Sequence, residues 1–268
     1  MKTVVITGSA RGFGLELAKE FKANNFNVVI SDINENMLKE AETLLKKSAG
    51  VGNVLAVKCD VTKYEDLENL WAKAVERFVS IDNWINNAGV NQPNKAIYEL
   101  SKEEVDFVLE VDLHGAIYGS QVAFKNMAKQ GYGSIYNIEG YGSNDAMMTG
   151  LNIYGTSKRA ITHFTRALAK ESKELELNIN VGRLSPGIMI TDFLTSSGGK
   201  DGSVELSDKT KMVYNILGDY PEPIAKFMVK KIKKNTRNDV RFNWLTGFKA
   251  FIRFMGAGFN KRDFFSEN

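Results

Sequence analysis

The sequence predicts a single α/β domain in which helices cover both faces of a parallel sheet. Short β-branched runs alternate with stretches of helical periodicity over the first 184 residues, and a glycine-rich segment joins the first run to the first helical stretch. No low-complexity linker or solenoid-length repeat interrupts this pattern. Alternation at this spacing favours right-handed βαβ units, which place successive strands parallel. The predicted fold class is therefore α/β, a Rossmann-type doubly wound sheet, in one domain over residues 1–268.

The elements follow in a regular order along the chain. Strands are predicted at residues 3–7, 27–31, 54–59, 81–85, 133–138 and 178–184, which are rich in β-branched residues. Helices are predicted at residues 15–24, 35–47, 64–78, 102–129 and 154–175, where apolar residues recur at helical spacing. Residues 195–203, TSSGGKDGS, indicate a flexible stretch inside a substrate loop region at 189–220.

Composition favours a globular protein that works without a metal ion. The 268 residues are 43% hydrophobic and 25% charged, which is enough apolar sequence for a sizeable core. The single Cys59 excludes an internal disulfide, and with only two histidines the sequence predicts no metal site. A strand-like segment follows Met1 and Lys2 directly, and no apolar run reaches the ~18 residues of a membrane span. We therefore expect a cytoplasmic protein with no transmembrane segment.

The C-terminal segment is basic and rich in aromatic residues. The net charge is +3, but residues 221–268 hold 11 Lys and Arg against 4 Asp and Glu. In a predicted helical tail at 241–265, one face is apolar: Trp244, Phe248, Phe251, Ile252, Met255 and Phe259. This face either packs on the body or a partner subunit, or borders the substrate cleft or a membrane surface. Aromatics at helical spacing argue against a nucleic-acid partner, because RNA-binding aromatics commonly lie on a sheet.

A glycine-rich segment between the first strand and the first helix predicts a dinucleotide site. It reads Thr7-Gly8-Ser9-Ala10-Arg11-Gly12-Phe13-Gly14. Glycines permit a tight turn and a close backbone approach, so that the N–H groups at the positive end of the helix face a pyrophosphate. The strand before the motif and the helix after it make the motif specific. The candidate cofactor-binding residues here are Gly8, Ser9, Arg11, Gly12, Phe13 and Gly14.

Asp32 and its neighbour Ile33 follow the second strand, at the position that distinguishes the two nicotinamide cofactors. Asp32 lies 18 residues after Gly14, where a carboxylate accepts the ribose hydroxyls of NAD and repels the 2′-phosphate of NADP. Arg11 opposes this preference, because a cation in the glycine loop pairs with that phosphate. The sequence favours NAD(H) and leaves NADP(H) open, with a turn or helix-cap role for Asp32 as the alternative.

Tyr154 and Lys158 are the candidate catalytic pair. They lie four residues apart on one face of a predicted helix, so the ammonium can approach both the phenol and the cofactor ribose. A nearby cation favours phenolate and lowers the pKa of the tyrosine. Such a tyrosine serves as a general acid in carbonyl reduction or as a general base in alcohol oxidation. The alternative is a buried aromatic residue beside a lysine on the helix surface.

Together these motifs resemble the short-chain dehydrogenase/reductase family over nearly the whole chain. The matching stretches are residues 7–14, Cys59-Asp60-Val61, Asn86-Asn87-Ala88-Gly89, Tyr154-Gly155-Thr156-Ser157-Lys158, and Ser185-Pro186-Gly187 with Thr191. The resemblance implies an NAD(P)(H)-dependent oxidoreductase that interconverts an alcohol and an aldehyde or ketone. It also implies a homodimer or homotetramer formed through helices 102–129 and 154–175. The cofactor residues that it implies are Asp60 and Val61 at the adenine, Asn87, Ala88 and Gly89 along the cofactor, and Pro186, Gly187, Ile188 and Thr191 at the nicotinamide.

Two positions depart from the family pattern. Asp112 stands where the family usually has an asparagine that orients a relay water, and Gly140 stands where it usually has the catalytic serine. The nearest hydroxyls to position 140 belong to Tyr141 and Ser143, and Ser143 is the favoured carrier of the hydroxyl that polarises the substrate. Asp112 and Ser143 therefore join the tyrosine and lysine as candidate catalytic residues.

The loop before Tyr154 resembles that of the plant chlorophyll b reductases and their relatives. The shared features are NIEGYGS at residues 137–143, ahead of YGTSK, and the tail segment FNWLTGFKAFIRF. This resemblance implies reduction of an aldehyde on a large planar ring system. The two departures also keep open an alternative, a dinucleotide-binding sensor or scaffold whose catalysis is lost or altered.

Overall fold

The chain folds into alternating strands and helices. The computed structural model describes residues 1–191, 193, 196–197, 200–203, 206–258 and 262–265. The strands are β1 Thr3–Thr7, β2 Asn27–Asp32, β3 Val54–Lys58, β4 Asn83–Asn86, β5 Gly133–Ile138, β6 Ile179–Ser185, β7 Ser196–Ser197, β8 Lys200–Ser203 and β9 Val240–Asn243. The α-helices are α1 Gly12–Ala23, α2 Glu35–Lys47, α3 Tyr64–Phe78, α4 Lys102–Val108, α5 Gly115–Gln130, α6 Asn152–Glu174, α7 Asp208–Leu217, α8 Pro221–Lys233 and α9 Gly247–Gly256. A π-helical turn, Leu109–His114, joins α4 to α5.

One parallel sheet of seven strands runs through the molecule in the order β3-β2-β1-β4-β5-β6-β9. The strand order reverses between β1 and β4, because the chain moves outward from β1 to β3 and then returns to begin the other half. At such a reversal the carboxyl ends of the two central strands leave a crevice where ligands bind. The topology therefore places the functional site at the ends of β1 and β4.

Helices pack on both faces of the sheet, and this confirms the predicted fold class. Side chains alternate along β1, so Val4 and Ile6 join one buried layer and Val5 joins the other. The first layer buries the inner faces of α1, α2 and α8. The second layer buries α3, α5 and α6. The sheet is buried on both sides, which explains its apolar, β-branched strands.

The last strand of the sheet, β9, differs from the prediction. The sequence places Arg241 and Phe242 in a helical tail at 241–265, but both lie in β9, which pairs with β6. Only Gly247–Gly256 of that tail is an α-helix. Four residues are too few to show a period, and the pairing with β6 is a tertiary contact that the local sequence does not specify.

The substrate loop region predicted at 189–220 contains regular structure. A short antiparallel pair, β7 and β8, lies within the stretch 195–203, of which Thr195, Gly198 and Gly199 lie outside the described residues. Helix α7 follows, and the Ser207 side chain caps it by accepting a hydrogen bond from the Thr210 N–H. The region therefore supplies a helix as well as a loop above the sheet.

Helix α9 carries most of the predicted apolar stripe. Its exposed stripe residues are Phe248, Phe251, Ile252 and Met255. Trp244 precedes the helix and packs edge-on against Phe227 of α8, while Phe259 lies outside the described residues. Among the residues described, no helix is both long and apolar enough to cross a membrane. The stripe is thus an apolar face that this part of the chain leaves uncovered.

Candidate active site

The glycine loop forms a close-packed cradle at the end of β1. Gly8 and Gly12 have φ values of +59° and +55°, which L side chains rarely adopt. A Cβ at Gly8 would lie 2.6 Å from Ala88 Cα, and one at Gly14 would lie 2.4 Å from Gly8 O. Arg11, the residue before α1, makes no side-chain cap. The first N–H groups of α1 therefore receive no cap from the Arg11 side chain, which fits a bound pyrophosphate at this end of the helix.

The end of β4 is bonded directly to this cradle. Thr7 Oγ1 accepts hydrogen bonds from the N–H groups of Asn87 at 3.0 Å and Ala88 at 3.1 Å. The Asn87 side chain donates in return to the carbonyls of Thr7 at 2.9 Å and Gly8 at 2.8 Å. Asn87 and Ala88 therefore lie beside the glycine loop, and their side-chain and backbone donors hold that loop to the end of β4.

The adenosine end of the predicted cofactor site is also preformed. Asp32 accepts hydrogen bonds from the N–H groups of Ala10 at 3.3 Å and Asn34 at 3.1 Å, so its carboxylate is fixed at the end of β2. Arg11 is exposed on the adjoining loop. Farther along the crevice Ile33 is exposed, Val61 is buried, and Asp60 accepts two hydrogen bonds from Thr62. These residues fit a dinucleotide, and the opposing charges at Asp32 and Arg11 are both in place.

Tyr154, Lys158 and Asp112 meet in the interior beside this crevice. Lys158 Nζ lies 5.2 Å from the centre of the Tyr154 ring and 3.0 Å from Asp112 Oδ2. Asp112 Oδ1 accepts a 2.7 Å hydrogen bond from the Val90 N–H. A Cβ at Gly89 would lie 3.2 Å from the carboxylate and 3.5 Å from the ammonium. The structure brings these three candidate residues together, and it adds that Asp112 and Lys158 form a buried ion pair.

This ion pair changes the electrostatics expected at Tyr154. Burial raises the pKa of the phenol above its usual value, and the charge of Asp112 and the nearby Tyr214 raise it further. Burial also raises the pKa of the Asp112 carboxyl, against the opposing effects of Lys158 and the Val90 N–H. The net shift of the Tyr154 pKa in the protein by itself is therefore upward, opposite to the direction expected from Lys158, whose ammonium is paired with Asp112.

Gly140 explains why the expected serine is missing. A Cβ at this position would lie 2.4 Å from the Tyr154 hydroxyl oxygen and 3.1 Å from Lys158 Cγ. No side chain fits there while Tyr154 keeps its position. The phenol has taken the space into which a side chain at 140 would extend.

Ser143, the favoured replacement, is buried and bonded to the backbone. Its hydroxyl donates to the Lys158 carbonyl at 3.2 Å and accepts from the Gly140 N–H at 3.2 Å. The only hydrogen of that hydroxyl is therefore used inside the protein. Tyr141, the other nearby hydroxyl, is 37% exposed. The catalytic role of Ser143 stays a prediction, and these contacts give the residue a structural role.

The predicted nicotinamide segment follows β6 and is held by the C-terminal part of the chain. Gly187 has a φ of +76°, and a Cβ there would lie 2.7 Å from Leu245 Cβ. The Ile188 carbonyl accepts from the Asp219 N–H at 3.1 Å, and the Asp219 carbonyl accepts from the Ile190 N–H at 3.0 Å. Pro186 is buried and Thr191 is partly exposed.

A second ion pair lies between the ends of β5 and β9, and the sequence analysis missed it. Glu139 is buried, and its carboxylate contacts Arg241 Nε at 2.6 Å. Arg241 also donates to Ser185 at 3.3 Å, just before the nicotinamide segment. The acidic residue at the end of an apolar strand could have indicated this pair, because a buried carboxylate without a partner would lower the stability of the fold.

Three further residues near Tyr154 were not predicted. Tyr214 reaches the site from α7, close enough to raise the pKa of Tyr154, and burial raises its own pKa. Gln92 accepts hydrogen bonds from the backbone at the start of α6. Phe193 lies beside Tyr154, with ring centres 6.1 Å apart. No sequence motif points to these residues, because each reaches the site through the fold.

The part of the chain that the structure describes contains no cluster of three His, Cys, Asp or Glu residues that could hold a metal ion. The arrangement that it does contain is a neutral buried phenol, a cation and a dinucleotide cradle. Such a set can move a proton to or from a substrate oxygen.

Comparison with known proteins agrees with this arrangement. The family model for short chain dehydrogenase matches residues 2–201. Chlorophyll(ide) b reductase NOL of Oryza sativa subsp. japonica is 34% identical over 259 residues, which cover 93% of this chain and 73% of that protein. The probable chlorophyll(ide) b reductase NYC1 of Arabidopsis thaliana is 31% identical over 261 residues, which cover 91% of this chain and 51% of that protein. The chain thus spans about half the length of NYC1.

A solved structure shares the fold. The 3-ketoacyl-(acyl-carrier-protein) reductase from Brucella melitensis, crystallised with NADH, superposes with a TM-score of 0.77 at 23% identity and covers 92% of this chain and 98% of its own. The segment matched by the family model holds the glycine loop, Tyr154 and Lys158. The chain therefore belongs to the short chain dehydrogenase family of NAD(P)-dependent oxidoreductases.

Proposed function

We propose that the protein reduces an aldehyde or ketone to an alcohol, or catalyses the reverse, with Tyr154 as the general acid or base. The observation that carries this proposal is the buried phenol of Tyr154 at the sheet crevice, with the Lys158 ammonium 5.2 Å from its ring. Burial keeps the phenol protonated. A protonated phenol is the form required to donate a proton to a carbonyl oxygen.

The residues of the chain divide the work of this reaction. When bound, the nicotinamide cofactor supplies or accepts the hydride. In reduction, Tyr154 donates its proton to the substrate oxygen, so that hydride and proton together convert the C=O group to CH–OH. Lys158 then stabilises the phenolate left behind, and Asp112 holds the lysine in position through their 3.0 Å contact. In oxidation the same phenolate accepts the proton of the alcohol.

NAD(H) is the proposed cofactor, with NADP(H) as the alternative. The fixed carboxylate of Asp32 supports NAD(H), because two backbone N–H groups hold it at the end of β2. Arg11 is exposed and free to turn toward a 2′-phosphate. Comparing kcat/KM with NADH and with NADPH on one substrate tests the preference.

A large, apolar carbonyl compound is the proposed substrate. Support comes from the similarity to proteins named chlorophyll(ide) b reductases and from aromatic residues near Tyr154, such as Phe193. The exposed stripe on α9 is a further apolar surface, and we propose that it gives such a substrate its way in or contacts a membrane surface. Binding of the protein to anionic vesicles, compared before and after Phe251→Ser, tests the membrane contact.

Cytoplasmic location and assembly as a homodimer or homotetramer complete the proposal. The location rests on the sequence alone, and the two plant relatives are named as chloroplastic proteins. The assembly rests on the family resemblance, with pairing through α4–α5 and α6. Light scattering at micromolar concentration tests it, and a monomeric mass would contradict it.

The central experiment assays small and large planar aldehydes and ketones with NADH and NADPH. We expect turnover that Tyr154→Phe reduces by at least ~10²-fold, the usual scale for loss of a general acid, with cofactor binding retained. Tyr98→Phe is the matched control, because Tyr98 is exposed. A protein that binds NADH tightly yet turns over no carbonyl compound would instead support the sensor or scaffold alternative.

A further inference from the structure

Gln92 caps the helix that carries Tyr154 from a distant part of the chain. Its side-chain oxygen accepts hydrogen bonds from the N–H groups of Ile153 at 2.8 Å and Tyr154 at 3.1 Å. Leu151, the residue before the helix, has no side-chain acceptor and makes no cap. These bonds have the pattern of an ordinary N-cap, in which a side-chain oxygen binds the second or third helical N–H. Here the oxygen comes from the loop after β4.

The hydrogen bonds fix the orientation of the Gln92 amide, and they leave its NH₂ group unpaired. Both contacts at the oxygen are backbone donors, so exchanging the oxygen and nitrogen would place two donors together. Gln92 is 1% exposed, and its Nε2 is buried without a hydrogen-bond partner in the described part of the chain. An unpaired buried donor is destabilising. A carboxylate at this position would accept both bonds without leaving a donor unpaired, and would suit the positive end of a helix better.

The choice of a neutral amide is explained by what surrounds Tyr154. The charged or titratable groups that face this phenol are Asp112 on the π-helical turn, Lys158 on its own helix and Tyr214 on α7. Asp112 already opposes ionisation of the phenol. A second carboxylate, bonded to the backbone N–H of Tyr154 itself, would oppose that ionisation further. A glutamine supplies the cap without that charge.

Gln92 also ends a short segment that contacts each part of the site in turn. Asn87 bonds to the glycine loop, and Val90 donates to Asp112. Asn91 donates to the Phe193 carbonyl at 3.3 Å, and Gln92 then accepts from the start of α6. One six-residue segment therefore joins the cofactor cradle to the helix of the general acid.

We propose that Gln92 is a positioning residue that holds Tyr154 in register with the cofactor cradle and does so without adding negative charge beside the phenol. The inference rests on the proposed function, because it assigns Gln92 a part in the chemistry of Tyr154. It acts through the backbone of α6 and not by contact with the substrate.

Two variants of Gln92 separate the cap from the charge. Gln92→Met removes the acceptor, and we expect faster amide exchange at residues 152–156 and a kcat lower by at least ~10-fold, with NADH affinity within about twofold of wild type. Gln92→Glu keeps the acceptor, so amide protection should return. Its added charge should move the midpoint of the pH profile for alcohol oxidation to higher pH.

Gln130→Met is the matched control. Gln130 likewise bonds to a loop backbone, through the N–H and carbonyl of Ile81, but at the opposite end of the sheet. It should lower thermal stability without changing kcat or the pH profile. Wild-type kcat in Gln92→Met, or a pH profile unchanged in Gln92→Glu, would overturn the proposal.

The proposed function and the role of Gln92 can fail independently of each other. If wild type turns over no carbonyl compound, the proposed function fails on that result alone. Amide exchange at residues 152–156 then tests Gln92 without turnover, because Gln92→Met should lose protection there and Gln92→Glu should keep it. Equal protection in wild type and Gln92→Met would overturn the role of Gln92.

Discussion

Replacing Asp112 by asparagine should make Tyr154 ionise at lower pH. The substitution keeps an oxygen that can accept from the Val90 N–H and removes the negative charge beside Lys158. The carboxylate is the second largest cause of the raised pKa of Tyr154, after burial. Its loss leaves the ammonium without its counter-charge, so the phenolate becomes the nearest anion for Lys158. Both effects favour ionisation of the phenol.

The size of the effect follows from two distances. Lys158 Nζ is 3.0 Å from Asp112 Oδ2 and 5.2 Å from the centre of the Tyr154 ring. The carboxylate therefore lies no more than about 8 Å from that ring, where two unit charges interact by ~2 kcal/mol at an effective dielectric constant of about 20. Such an energy corresponds to a shift of roughly 1.5 pH units in the midpoint of a titration.

The assay is the pH dependence of kcat for alcohol oxidation, which reports the ionisation of the general base in the enzyme–substrate complex. We expect the midpoint of Asp112→Asn to lie below that of wild type. Asp106→Asn is the matched control, because Asp106 is partly exposed on α4, just before the π-helical turn, and pairs with Lys102. A midpoint that stays in place or rises would refute the electrostatic argument, whatever happens to the maximal rate.

Four further substitutions or measurements test other parts of the site. Gly140→Ser, which restores the residue usual in the family, should lower kcat and not raise it, because its Cβ would lie 2.4 Å from the Tyr154 hydroxyl. Ser143→Ala should lower the free energy of unfolding by about 1–3 kcal/mol, measured by urea titration, since it leaves the Gly140 N–H without an acceptor; a loss of kcat at unchanged stability would favour the catalytic role instead. Asp32→Ala should raise kcat/KM with NADPH relative to NADH, and an unchanged ratio would remove Asp32 from cofactor selection. Burial raises the pKa of the Cys59 thiol to about 12 from 9.0, so the stability due to the neutral thiol is present below pH 9 and is lost as the pH rises toward 12; iodoacetamide labelling of the native protein at pH 9 should therefore be much slower than labelling in urea.

The fold was largely predictable because the strong signals in this sequence are local. The predicted strands at 3–7 and 133–138 have the observed bounds, and so do the helices Glu35–Lys47 and Tyr64–Phe78. The two helices have a clear apolar period, and the two strands are mostly buried segments of the kind that a parallel sheet covered on both faces requires. The missing strand, β9, is short and is defined by its pairing with β6, which no local pattern contains.

The sequence indicated which residues belong to the candidate site, but not how their charges interact. Spacing alone places Tyr154 and Lys158 on one helix face, and the family resemblance singles out Asp112 as a departure from the usual asparagine. Asp112 lies in the π-helical turn Leu109–His114, within the helix predicted at 102–129, and no local pattern in the sequence indicates its pairing with Lys158. The sequence likewise could not predict that the Tyr154 hydroxyl leaves no room for a side chain at Gly140, because the two residues approach each other only in the folded protein.

The pairing of Glu139 with Arg241 has a consequence for the synthesis of the protein. The carboxylate is buried at the end of β5, next to Gly140, while its guanidinium partner belongs to a strand made about 100 residues later on the ribosome. Until that strand emerges, a nascent chain that has already assembled β1 to β6 must either bury an uncompensated charge or leave this end of the sheet open. A chain that stops before Arg241 should therefore be less stable at this end of the sheet than the full chain, and more easily cleaved there by a protease.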